Sequence, residues 1–446
     1  MIVPSTAKQT PTITRCRKRA GLKAPASILA APSLNILTLP YIGHKFLASR
    51  RGCDVCVCLK ESSAMSRARV HLGYLDGLRG WASLYVVGHH VWQFVVSRPD
   101  ADRLPRWFTL FTLFKPGSFG VTVFIVLSGY CLALPVARAS EPELAGGFSN
   151  FVRRRARRIL PPYYAALAFA LSLVLAYPEL QTRTYTEWDL ALPPLTFASI
   201  TSHVFLVHNL VQALQWSLNP PLWSVALEWQ IYFVFALLLV PLWRRRGLAP
   251  AVLVALVLGV VPLVFGGNFA HPWFLGSFGL GMGAAALGFA ARYRALGLVE
   301  RWPWGRIAIA LSILPLAALM LNRRWPLPDV LAELGLSGAV AAMLVRSTRA
   351  VEENRHSRLL RALEHPWSAR LGAFSYSLYL VHYPMLAVMA LPLRRLEQPL
   401  MAFACLMLLG VPVMLTLSFA FHWVFERPFL STEVRRAAAP AHETRT

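Results

Sequence analysis

Ten apolar stretches recur along this chain, each near the ~20 residues that a helix needs to cross a bilayer. They fall at roughly 78–97, 118–137, 160–178, 222–243, 247–266, 272–291, 305–322, 328–345, 371–392 and 399–425. Composition agrees with the spacing. Of 446 residues, 56% are hydrophobic and 15% charged, and the mean hydropathy is +0.48. Water-soluble domains carry more charge and shorter apolar runs. The expected fold is all-α: a polytopic transmembrane helix bundle of about ten spans.

The formal charge is +24, but the basic residues do not form one surface, so nucleic acid is not an expected partner. They recur in clusters between apolar runs: Arg153–Arg158, Arg244–Arg246, Arg292 with Arg294, the loop at 346–370, and Arg435–Arg436. With the N-terminus inside, all of these fall on the inner side. Smaller pairs such as Arg323–Arg324 and Arg394–Arg395 fall outside. The positive-inside rule favours this orientation and puts both termini in the cytoplasm.

Residues 1–64 differ from the rest. Five of the six lysines (Lys8, Lys18, Lys23, Lys45 and Lys60) lie there, and Pro25, Pro32 and Pro40 interrupt the only apolar part. This segment is expected to be a disordered leader or an over-long start, with the membrane domain at 72–430 and a short cytoplasmic tail at 431–446. Cys53, Cys56 and Cys58 include one Cys-x-x-Cys but no second ligand pair at zinc-site spacing, so no metal site is expected. Cys131 and Cys405 lie in apolar runs, as small core residues do. The longest outer segment, about 179–221, is rich in Trp, Thr and Pro, with an amphipathic run near Thr201–Leu214. A long ordered loop of this kind is usually functional. No internal repeat of the inverted-transporter type is evident.

Polar groups inside the apolar runs carry the chemical information, because ionisable residues in spans face a bundle interior or a wet cavity. The first group is Asp76, Arg79, His89 and His90. Arg79 and His90 are eleven residues apart, nearly three helical turns, hence on one face and roughly 16 Å apart along the axis. The second is Ser128-Gly129-Tyr130, where small residues could equally serve close helix packing. The third is Ser224, Glu228 and Tyr232, spaced i, i+4, i+8 on one face. A lone carboxylate there needs a partner or a proton. The fourth is Tyr379 and His382, with Pro384 releasing a backbone carbonyl in mid-helix. Each histidine could instead make a purely structural hydrogen bond.

Taken in order, six elements resemble one family. They are Asp76-Gly-Leu-Arg-Gly80 with His90, Phe124–Tyr130, Arg154-Arg-Ala-Arg-Arg-Ile-Leu-Pro-Pro-Tyr163, Trp223-Ser with Glu228 and Tyr232, Ser375–His382, and Glu426-Arg-Pro428. Together they look like acyltransferase family 3, the integral membrane O-acyltransferases that modify polysaccharide and lipopolysaccharide, over about 72–430. The resemblance implies transfer of an acyl group, commonly acetyl, from cytoplasmic acyl-CoA to a hydroxyl of a carbohydrate, glycolipid or other small acceptor. Acyl-CoA would be a donor substrate and not a resident cofactor.

The family's first-span arginine and histidine map onto Arg79 and His90. A neutral imidazole suits removal of a hydroxyl proton near neutral pH, and Glu228 is the third catalytic candidate. Arg154, Arg155 and Arg158 offer cationic partners for the CoA phosphates. Trp229 stands where many members carry a second acidic residue, so Glu228 is expected to act alone. The chain ends about twenty residues after the last span, so no fused hydrolase-like domain is expected and a second transfer step would need another protein. The expected location is a bacterial inner membrane, multi-pass. The competing function is a proton-coupled transporter or flippase for a sugar-bearing or acylated small molecule, using the same His, Glu and Arg as a proton relay.

Overall fold

The computed structural model describes residues 72–193, 195–320 and 327–430. The expectations for 1–64 and for the tail at 431–446 lie outside the described residues. Among the described residues every regular element is helical. The main ones are α1 (Tyr74–Val96), α2 (Ser118–Arg138), α3 (Gly147–Ala176), α4 (Phe197–Val204), α5 (Leu222–Arg246), α6 (Leu248–Val264), α7 (Phe274–Phe289), α8 (Trp304–Met320), α9 (Leu327–Glu352), α10 (Pro366–Ala373), α11 (Ser375–Leu393) and α12 (Pro399–Phe429).

A helix coincides with each of the ten apolar stretches. Six are long and apolar enough to cross a membrane: Arg106–Arg138, α3, α5, Asp329–Glu352, α11 and α12. α6, α7 and Trp304–Ala317 are apolar but shorter. α1 has 23 residues, but Asp76, Arg79, His89, His90 and Gln93 dilute its hydropathy. The third stretch begins earlier than its apolar run suggests. Arginine is a good helix former, so Arg153–Arg158 ride on the first turns of α3 and not in a loop.

α2 and α7 form the closest crossing. A Cβ on Gly129 would overlap the carbonyl of Phe278, and one on Gly281 would overlap that of Val126. The two backbones therefore touch, as small-residue crossings allow. α9 joins this pair through Thr348, whose hydroxyl meets Tyr130 and also Tyr74, the latter at 3.1 Å. α1 packs on α2, α10 and α11, and α11 packs on α12 and α3.

The segment between α3 and α5 does more than cover the bundle. Tyr163 and Tyr164 donate to the carbonyls of His203 and Val204, each at 2.8 Å. Those tyrosines stand roughly 20 Å from the end of α3 at 1.5 Å per residue. Gln230 of α5 donates to Leu206 O at 3.0 Å and to Asn209 Oδ1 at 2.8 Å. The loop thus enters the bundle between α3 and α5. The amphipathic run near Thr201–Leu214 is not one helix: an α-helix covers Phe197–Val204, and the chain turns at Leu206, where φ is +53°.

Candidate active site

α1 meets its neighbours at very short range near its start. A Cβ on Gly77 would overlap the carbonyl of Leu363, and one on Gly372 would overlap that of Asp76. These glycines let the helical segments Arg358–Glu364 and α10 lie on the first turns of α1, which fixes Arg79. Its Nη1 donates to Asp76 Oδ1 at 2.7 Å and its Nη2 to Cys131 Sγ at 3.0 Å. Cys131 is therefore more than the core filler its apolar context suggests. A guanidinium has five N–H groups, so donors remain for a further anionic or carbonyl partner.

The two adjacent histidines of α1 have different surroundings. His89 is buried, and its Nδ1 lies 2.7 Å from the Phe114 carbonyl. A carbonyl only accepts, so this nitrogen carries the proton. The His89 ring also fills the space that a Cβ on Gly117 would take. His90 is half-buried, and its Nδ1 has no hydrogen-bond partner. Its ring lies 5.2 Å from His382 and 4.9 Å from Tyr383, centroid to centroid.

His382 is fully buried. Its Nδ1 lies 3.0 Å from Leu378 O and 2.8 Å from Tyr379 O, so the proton sits there. Its Nε2 has no partner. In the neutral ring that nitrogen is the acceptor, and it belongs to the ring facing His90.

A second polar chain starts on α5. Tyr232 donates to Glu228 Oε1 at 2.6 Å, and its hydroxyl lies 3.3 Å from Ser128 Oγ. Glu228 is thus not a lone carboxylate: the i, i+4 spacing brings a donor onto it. One turn earlier, Ser224 Oγ and the Tyr379 hydroxyl lie 2.6 Å apart, and Tyr379 also donates to Pro221 O at 3.1 Å. The Tyr379 ring is 5.9 Å from that of His382. Helix α11 therefore links the Ser224–Glu228 face of α5 to the histidine pair.

The three arginines of α3 expected to meet the donor separate. Arg154 is exposed and donates to Ala145 O at 3.1 Å. Arg158 is half-buried. Arg155 is half-buried, its Nε has no partner, and it lies within electrostatic range of Tyr232, Glu228 and Cys131. Arg79 and Arg155 thus approach Cys131 from α1 and α3.

The inserted loop roofs this region. Pro384 has no N–H, so the carbonyl of Leu380 is released, and Asn219 Nδ2 takes it at 3.0 Å. Tyr383 donates to Glu187 O at 3.0 Å, and Trp188 packs on the Tyr383 ring at 5.9 Å. Ser97, just past α1, donates to the Glu187 carboxylate at 2.7 Å. Burial raises the Glu187 carboxyl above its ordinary range, opposed by that hydrogen bond. The released carbonyl is legible in the sequence as a proline effect; its partner Asn219 is not, nor is Cys131 as a partner of Arg79.

Comparison with known proteins adds identity to this geometry. A family profile described as "Acyltransferase domain" matches residues 72–423. The peptidoglycan O-acetyltransferase OatA of Listeria monocytogenes is 24% identical over 380 residues, covering 79% of this chain and 55% of that protein. The putative peptidoglycan O-acetyltransferase YrhL of Bacillus subtilis is 28% identical over 190 residues, covering 41% and 26%. The acyltransferase MdmB of Streptomyces mycarofaciens is 29% identical over 178 residues, covering 40% of each chain. The chain spans about half the length of the first of these relatives, and no solved structure matches it. The profile match takes in both ends of the polar constellation, from Asp76 on α1 to His382 on α11, and on that ground the chain belongs to the acyltransferase family.

Proposed function

We propose that the protein is a multi-pass membrane O-acyltransferase that moves an acyl group, acetyl in the simplest case, from acyl-CoA to a hydroxyl of a carbohydrate-bearing acceptor. The relatives named as peptidoglycan O-acetyltransferases support the acceptor class. One observation carries the chemistry: two histidines from different helices face each other, His90 with an unpartnered Nδ1 and His382 with an unpartnered Nε2. Basic sites with open lone pairs inside an apolar bundle suit proton transfer better than packing.

In this reading all ten helices cross or line the membrane and both termini are cytoplasmic, as the arginine clusters favour. The donor enters from the arginine side. Arg79 stands about 16 Å from His90 along α1, too far to touch a thioester at His90. Its role is therefore to hold the anionic end of the donor together with Arg155, while the thin pantetheine arm covers the distance. His90 takes the acceptor's hydroxyl proton as that oxygen attacks the thioester carbonyl. The C–O bond forms, the C–S bond breaks, and the proton passes from His90 to the departing thiolate. Glu228 and Tyr232 orient the acceptor.

The test is free-thiol release by the purified protein with acetyl-CoA and a panel of acceptors. Acceptor-dependent thiol release supports the reading. Acceptor movement without thioester consumption would favour the transporter alternative.

A further inference from the structure

A large groove lies away from this polar centre. It has a volume of about 1970 Å³ and opens between α6 and α8, over a floor formed by α7 and α9. Small-molecule sites run to roughly 300–1,000 Å³, so the groove is oversized for one. Its depth follows from its floor. Gly283, Ala284, Gly338 and Ala342 keep α7 and α9 low, while Leu256 and Leu311 form the walls. Along α7 the lining runs from Leu280 to Phe289, roughly 13 Å, close to the ~15 Å of one leaflet's hydrocarbon.

The rim at one end is cationic. Arg138, Arg244, Arg245, Arg246, Arg292 and Arg294 all border it. Two carboxylates answer them: Glu141 pairs with Arg244 at 3.2 Å and Glu352 with Arg294 at 3.0 Å. Arg245, Arg246 and Arg292 are exposed and have no carboxylate partner among the described residues. The groove is separate from the histidine pair. α7 meets α2 through Phe278 and Gly281 and lines the groove with Leu280, Gly283, Ala284 and Leu287, roughly 140° around the helix at 100° per residue. α2 and α7 therefore stand between the groove and α1.

We propose that this groove seats an anionic phospholipid, its chains on the small-residue floor and its phosphate on Arg245, Arg246 and Arg292. Arginine forks match phosphate oxygens, and basic residues at a membrane surface each add to anionic-lipid affinity. The occupant is a lipid and not the donor, because its apolar part has the depth of a leaflet and its path to His90 is blocked by two helices.

The experiment uses the full chain in nanodiscs made from defined mixtures of phosphatidylglycerol and phosphatidylcholine. Lipid retained after detergent extraction is counted by native mass spectrometry. The wild type should retain phosphatidylglycerol in preference to phosphatidylcholine. The triple change Arg245→Ala, Arg246→Ala, Arg292→Ala should weaken that retention roughly a hundredfold. Leu280→Trp, which fills the groove and leaves every arginine in place, should lower retention of both lipids. Coenzyme A and inorganic phosphate are added as soluble competitors. Equal retention in wild type and triple variant overturns the proposal, as does displacement of the lipid by coenzyme A, which would hand the groove to the donor. Thiol release plays no part in the readout, so failure here is distinct from failure of the acyl-transfer reading.

Discussion

The His90 and His382 rings lie 5.2 Å apart, centroid to centroid, although 292 residues of sequence separate them. His382 is locked by two carbonyls of its own helix, whereas His90 has an open Nδ1. His90→Ala should lower turnover by the ~10²–10⁴-fold typical of a lost general base. His89→Ala removes a donor from the Phe114 carbonyl and leaves a void over Gly117, so its cost should fall on stability, about 1–3 kcal/mol. Turnover and thermal midpoint measured on both variants separate the roles. Equal loss of turnover with unchanged midpoints would remove the distinction.

His382 is expected to act through His90. His382→Phe keeps the bulk and removes the Nε2 lone pair. It should depress turnover and change the pH profile, with little change in the Michaelis constant for the donor. A change confined to that constant would place His382 at the donor site instead.

Tyr232 and Glu228 should behave as one unit because they share a 2.6 Å hydrogen bond. Tyr232→Phe and Glu228→Gln should each lower turnover at saturating donor. The double variant should fall short of the sum of the two free-energy losses, by the 0.5 kcal/mol or more that marks groups in contact, on the order seen in double-mutant cycles. Strict additivity of the two effects would show that the bond is not used in the reaction.

Donor binding should depend on Arg155 more than on Arg154. Arg155 has an unpartnered Nε and lies within electrostatic range of Cys131 and Glu228, while Arg154 is exposed and bonded locally. Arg155→Ala should raise the Michaelis constant for acyl-CoA with a smaller change in turnover, the pattern of lost uniform binding. Arg154→Ala should do much less. The reverse order would relocate the donor.

An ion pair just past α1 clamps the turn after α11. Arg98 forms a forked ion pair with Asp100, at 2.8 and 3.0 Å, and donates to Leu393 O and Leu396 O. The guanidinium holds the Asp100 carboxyl below its ordinary value of 3.8. A carboxyl depressed on folding adds stability above its unfolded value and loses it as pH falls through the folded value. Asp100→Asn should therefore lower the thermal midpoint at about pH 7, and the difference should shrink as the pH falls below the ordinary aspartate value of 3.8. A difference that persists unchanged into acid would show that the pair contributes nothing through charge.

Much of this protein is written locally. A helix stands at each of the ten apolar runs, and six of these helices are long and apolar enough to cross a membrane, where a helix satisfies its backbone hydrogen bonds within its own segment. Spacing alone also set the Glu228–Tyr232 contact, since residues four apart on a helix are neighbours. Pro384 likewise announced a released carbonyl on its own helix.

What the sequence left open is whatever joins segments far apart in the chain. Nothing near Arg79 names Cys131, nothing near Pro384 names Asn219, and the neighbouring His89 and His90 look alike until Phe114, Gly117 and His382 arrive from elsewhere. The descent of the loop between α3 and α5 has the same origin, because Tyr163, Tyr164 and Gln230 draw it in through its backbone carbonyls and Asn209. Helical periodicity fixes which side chains share a face, and only packing between helices decides what that face meets.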